Sequence, residues 1–244
     1  MSAIKSFVAR ARTALLWASS LLPHWAPSQN ALSPQPAELR AHLDFAARLA
    51  KEPAPAAAVW ITALLSEDNR QTLSSEHFTL EQKNRMFMPH LLMVPVGSVV
   101  SFPNRDPFYH NVFSLFNGKR FDLGLYESGK SKDVVFSREG ASYIFCDIHP
   151  QMSAVVLSVA SQHYAIADRN ENVRIADIPP GDYDVHVWVE GLAQTSLDHL
   201  VSRVHLDAGK SESISLDVRN LPHEPATHLN KFGQPYPATP DSTY

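Results

Sequence analysis

From residue 58 to residue 218 the chain is a succession of short β-rich runs cut by Pro, Asn, Asp and Gly clusters, and such a pattern folds by stacking sheet on sheet. Val59-Trp60-Ile61-Thr62, Phe87 to Gly97, Ser98 to Phe102, His110 to Phe116, Asp133 to Phe136, Ala141 to Cys146 and Ala154 to Val159 form a first set. Tyr164 to Ala167, Val173 to Ile178, Tyr183 to Trp188, Val201 to Leu206 and Ser213 to Val218 form a second. The run Tyr183-Asp184-Val185-His186-Val187-Trp188 alternates with period two, as a strand with one buried face must. The predicted class is mainly β: an antiparallel sandwich over 58–160 and a smaller sandwich over 161–219. The polar turn Asp168-Arg169-Asn170-Glu171 is expected to join a hairpin. In 32–57, Leu39, Leu43, Ala46, Ala47 and Leu49 recur at helical spacing between Pro-rich linkers, which predicts a short N-terminal helix. Residues 220–244 read as an extended tail in which Asn230 to Tyr236 mixes aromatics with turn residues.

Residues 1–31 have the pattern of a signal peptide. Lys5, Arg10 and Arg12 precede the apolar run Ala14 to Leu22, and small residues follow at Ala26, Ser28 and Ala31. Pro23 and His24 end that run before it could span a bilayer comfortably. Export, to a periplasm or an equivalent compartment, is the expectation; an uncleaved amphipathic helix is the alternative, so membrane association stays open. The formal net charge is −4, and no basic stripe marks a nucleic-acid partner.

The chain has one cysteine, Cys146, so an exported form has no internal disulfide and the thiol needs another role. Cys146-Asp147-Ile148-His149-Pro150-Gln151-Met152 places thiol, imidazole and thioether in one loop at a predicted strand end. Thiolate and thioether favour copper(I), imidazole suits both copper states, and two His with one Cys and a weak axial Met make an electron-transfer set. His110, which begins a strand after Asn104-Arg105-Asp106-Pro107, supplies the second imidazole. Pro150 stiffens the loop, and Asn111 is placed to hydrogen-bond across to it and hold ligand orientation. Each residue alone has an ordinary structural explanation; the set in this order does not. Zinc would need further Cys or His at matching spacing, and there is no other Cys.

Here the chain resembles the cupredoxin family, in its plastocyanin and amicyanin branch. The resemblance lies in Val96-Gly97, Val99 to Asp106, His110-Asn111-Val112, the Gly140 turn and Tyr143 to Met152. It implies a Greek-key sandwich holding one type 1 copper on His110, Cys146, His149 and Met152, with Asn111 anchoring the loop and His149 at the solvent-facing apolar end. Tyr164 to Val189, with Ile178-Pro179-Pro180-Gly181-Asp182-Tyr183 and Val187-Trp188, resembles the transthyretin-like regulatory domain found beside carboxypeptidases. Such modules support folding or docking.

The expected function is transfer of single electrons between redox proteins, such as a cytochrome or a dehydrogenase, by a protein that is not an enzyme. A copper trafficking or storage module and a non-redox cell-surface binding protein are the alternatives. No Gly-x-Ser-x-Gly elbow or phosphate-cradling loop is present. His90, His163, His186, His199, His205, His223 and His228 lack ligand spacing and read as surface or scaffold.

Overall fold

The structure is a computed structural model that describes residues 34–45, 54–64, 76–115, 118–222, 230–232 and 234. The expected signal peptide and most of the tail lie outside the described residues. The chain opens with β1 (Ala37–Asp44) and β2 (Ala57–Ala63). Ten strands follow: β3 (His77–Thr79), β4 (Glu81–Lys83), β5 (Met86–Met88), β6 (Leu91–Pro95), β7 (Val99–Pro103), β8 (His110–Ser114), β9 (Phe121–Tyr126), β10 (Ser131–Val135), β11 (Gly140–Phe145) and β12 (Ser153–Val159). The last five are β13 (Tyr164–Ile166), β14 (Asn172–Ile178), β15 (Gly181–Val189), β16 (Ser202–Leu206) and β17 (Ser211–Asp217). A single turn of helix, α1 (Gln194–Leu197), lies between β15 and β16. The mainly β class is therefore the one observed.

A sheet ordered β10-β7-β3 packs against one ordered β6-β12-β11-β8-β9, with the β4-β5 hairpin beside them. Val100, Phe102, Val112, Phe136, Ile144 and Val156 fill the core of this first sandwich. Two pairings, β3 with β7 and β6 with β12, are parallel, so the sheets are mixed and not purely antiparallel. Sheets ordered β14-β1-β17 and β13-β2-β15-β16 make the second sandwich, around Leu39, Ile61, Ile175, Val185 and Val187.

The two sandwiches share apolar surface. On β12, Ala154 and Val156 face the first core, while Val155, Leu157 and Val159 join the second; on β6, Val94 and Met93 divide in the same way. A strand buried on both faces reads as a continuous apolar run, and Ala154-Val155-Val156-Leu157 is one.

Three expectations from the sequence are corrected. Residues 37–44 form strand β1, not the start of a helix: Ala37, Leu39, Ala41 and Leu43 are buried in alternation with Glu38, Arg40, His42 and Asp44. Leu39 and Leu43 satisfy both periods, and pairing with β14 and β17 decides for the strand. The rest of the expected helix, including Ala46, Ala47 and Leu49, lies outside the described residues. Secondly, β2 pairs with β13 and β15, so Val59 to Thr62 belong to the second sandwich and not to the first. Lastly, β13 and β14 do not pair as a hairpin; the Asp168 turn carries the chain from one sheet to the other.

Candidate metal centre

Neighbouring strands of the five-stranded sheet bring the predicted ligands together. His110 opens β8, and Cys146 follows the last residue of β11, whose Phe145 pairs with Phe113 of β8. The loop after Cys146 is closed by two backbone bonds. Met152 N–H donates to the His149 carbonyl at 2.9 Å, and Cys146 N–H donates to the Met152 carbonyl at 3.3 Å. The first bond defines a tight turn with Pro150 in its second position, where a fixed φ near −65° is already correct. Pro150 thus acts on the backbone, turning Met152 back into the core beside Cys146.

His110, Cys146 and His149 form a group whose donor atoms all lie within 4.8 Å of one another. Cys146 Sγ is 3.8 Å from His110 Nδ1 and 3.6 Å from His149 Nδ1. With bonds of about 2.3 Å to sulfur and about 2.0 Å to imidazole nitrogen, as for zinc, ligands spread evenly around one ion have S···N separations of about 3.7 Å. The observed pair of distances fits that requirement. His110 and Cys146 are fully buried and Met152 is 1% exposed, whereas His149 keeps partial contact with solvent. Beside the two histidines in sequence, Tyr109 and Ile148 are exposed to 56% and 47%. The Phe108 ring packs on both imidazoles, 5.2 Å from His110 and 5.7 Å from His149. Burial above all, with the Arg85 guanidinium acting in the same direction, holds the His149 pKa below its usual value, which favours the neutral ring that a metal needs.

Two features were not foreseen from the sequence. Asp106, 4% exposed, accepts a hydrogen bond at 2.8 Å from His110 Nε2 and others from the backbone N–H groups of Asn84 (2.6 Å) and Arg85 (2.9 Å). Burial opposes its charge, but the Arg85 N–H, the His110 ring and the Asn84 N–H outweigh it and leave the carboxyl below its ordinary pKa. A carboxylate four residues before a metal-site histidine was a visible signal, hidden in what read as a turn. The second feature is Lys231, whose N–H donates to Asp147 at 3.3 Å and whose Nζ donates to Asp122 at 3.3 Å.

Asn111 departs from its expected role. Its Nδ2 donates to Asp122 Oδ1 at 2.7 Å, and its Oδ1 has no hydrogen-bond partner among the described residues. Among the described residues, the Asn111 side chain is linked to the loop after Cys146 through Asp122 and Lys231 to Asp147. The β8–β9 register shifts between Asn111 and Phe113, with one extra residue on β9, which leaves Asp122 within reach of the Asn111 side chain. Of the other histidines, His90 bonds Glu190, His186 stacks on Trp60 and His205 bonds Asp182, while His223 and His228 lie outside the described residues.

No family model and no curated protein matches this chain. Among solved structures it is similar to the Cu-containing nitrite reductase of Thermus scotoductus SA-01, at 24% identity over 34% of this chain and 22% of that one, with a TM-score of 0.32. It is similar to a purple cupredoxin from Nitrosopumilus maritimus, at 26% identity over 35% of this chain and all of that one, with a TM-score of 0.31. An oxidized amicyanin variant matches at 19% identity over 34% of this chain and 81% of that one, with a TM-score of 0.32. This chain thus spans about a fifth of the nitrite reductase chain, 22%. The matches are to copper proteins with a cupredoxin fold; the choice of donors rests on the side chains of this centre.

Proposed function

We propose that the chain holds one type 1 copper on His110, Cys146, His149 and Met152 and passes single electrons between redox proteins. The observation that carries this reading is a fully buried thiol with two imidazole nitrogens at 3.6 and 3.8 Å. A soft thiolate, two imidazoles and an adjacent thioether form the donor set that suits copper. Bound there, copper supplies a one-electron couple.

The protein's part is to keep the donors still and to keep water away. Strand ends hold His110 and Cys146, the Pro150 turn holds His149 and Met152, and the apolar core around Ile144 and Phe102 seals the sulfur. Cys146 is too deeply buried to reach a substrate, which disfavours a nucleophilic role. His149, beside exposed Ile148, is the ligand through which electrons enter and leave. A cytochrome or a dehydrogenase outside the cytoplasm is the expected kind of partner, and the second sandwich is scaffold or docking surface. No helix among the described residues is long and apolar enough to cross a membrane.

The test is to add copper(II) to the purified chain. Intense visible absorption from thiolate-to-copper charge transfer, bleached by ascorbate and restored by ferricyanide, supports the reading. A colourless stoichiometric complex would instead favour copper trafficking or storage. Absence of stoichiometric uptake would favour a non-redox binding module.

A further inference from the structure

We propose that Asp106 is a positioning residue of the metal centre, fixing the His110 ring proton on Nε2 and holding a negative charge one imidazole away from the metal. This builds on the copper reading and adds a residue that the donor pattern does not contain.

The geometry of β4 and β5 makes the case. Their connection is the two-residue turn Asn84-Arg85, with Lys83 paired to Met86 and both turn residues at positive φ, 56° and 55°. Such turns suit the right-handed twist of a hairpin, but they normally use Asn and Gly. An arginine in that left-handed conformation is strained, since its Cβ crowds the following carbonyl. What the strained backbone gains is visible: consecutive left-handed residues point their N–H groups to one side, and both meet the Asp106 carboxylate. From the other side, Asn104 Oδ1 accepts the Asp106 N–H at 3.0 Å. The Arg85 guanidinium then lies over Phe108, 5.2 Å from the ring centre, and Phe108 packs on both candidate ligand rings.

Chemistry supplies the rest. An ionised carboxylate only accepts, so each of its contacts must bring a hydrogen. The 2.8 Å contact with His110 therefore puts the ring proton on Nε2. A neutral imidazole has one N–H, which leaves a lone pair on Nδ1, the nitrogen 3.8 Å from Cys146 Sγ. The tautomer is set before any metal arrives. A fixed negative charge behind this ligand also stabilises copper(II) over copper(I), which lowers the reduction potential.

Two measurements on the full chain test this. In the metal-free protein, ¹⁵N NMR of labelled histidine should find His110 protonated at Nε2, and Asp106→Asn should mix the tautomers. In copper-loaded protein, Asp106→Asn should keep the charge-transfer band while shifting the copper(I)-to-copper(II) preference at least tenfold towards copper(I), a rise of about 59 mV. A parent protein carrying the proton on Nδ1 would overturn the proposal without any variant needing to fold. So would a folded, coloured Asp106→Asn protein with an unchanged potential, which would make Asp106 merely a clamp on the hairpin. A parent that binds copper without the band defeats the copper reading alone, because the ring proton is read in the metal-free chain.

Discussion

From β3 to β12 the chain buries Gln82, Ser98, Asn104, Asp106, His110, Asn111, Ser114, Ser142 and Ser158. The strands of the second sandwich, among the described residues, bury only apolar side chains and leave their charged pairs, such as Arg40–Glu38 and His205–Asp182, at the surface. The two halves have similar architecture and continuous apolar packing, so the contrast is not one of fold. Burying a polar group without a partner costs roughly 1–3 kcal/mol, and a buried charge costs more. Evolution tolerates that where the group does something, and seven of the nine residues just named lie in or beside β4, β7, β8 and the turn between β7 and β8. Polar burial separates the half that holds the candidate metal centre from the half whose strands bury apolar side chains.

The sharpest way to break this comparison is Cys146→Ser. Charge-transfer absorption should vanish completely, and the protein should still fold with a loss of about 1–3 kcal/mol, because a hydroxyl replaces a fully buried thiol. The mirror experiment is Trp188→Ala, a 2% exposed side chain of the second core. It should cost about 3–5 kcal/mol in denaturant unfolding and leave the absorption of the folded, copper-loaded protein unchanged. A lost band in a folded Trp188→Ala protein would mean that the halves are not separable. Met152→Leu should cost less than about 1.5 kcal/mol and retain copper, with a higher reduction potential because a weak axial donor is gone. An unchanged potential would remove Met152 from the donor set.

The smallest effect concerns the seam. His90, just before β6, bonds Glu190, just after β15, at 2.9 Å, and this hydrogen bond raises the His90 pKa above 6.5. A raised folded-state value means that the stabilisation is full below pH 6.5 and fades as pH rises through the folded value. For a half-exposed pair it amounts to less than about 1 kcal/mol. Thermal melts of Glu190→Gln should lose this slope, and an identical pH profile would show that the seam does not depend on the pair.

The candidate metal centre was legible in the sequence because its spacing is chemical: Cys146, His149 and Met152 sit in one loop, and few other roles demand those side chains together. The strands of the first sandwich were mostly legible for a similar reason, since period two and turn residues are local signals. Residues 37–44 were misread because Leu39 and Leu43 satisfy helical and strand spacing alike. Strand β2 was recognised as a strand and given to the wrong sheet, because its partners β13 and β15 lie about a hundred residues further along. Asp106 was passed over as a turn residue, since only the folded hairpin shows two N–H groups converging on it.

By itself, the sequence determined that the chain would be built of stacked sheets and that one thiol would lie near imidazole and thioether donors. Both follow from residue types at short separations, where the backbone leaves little choice. Which strands pair, which sandwich β1 and β2 join, where Asn111 points and how Asp106 orients His110 were decided by tertiary structure alone. Each depends on contacts between distant segments, and the free energy of burying shared apolar surface outweighs local preference there.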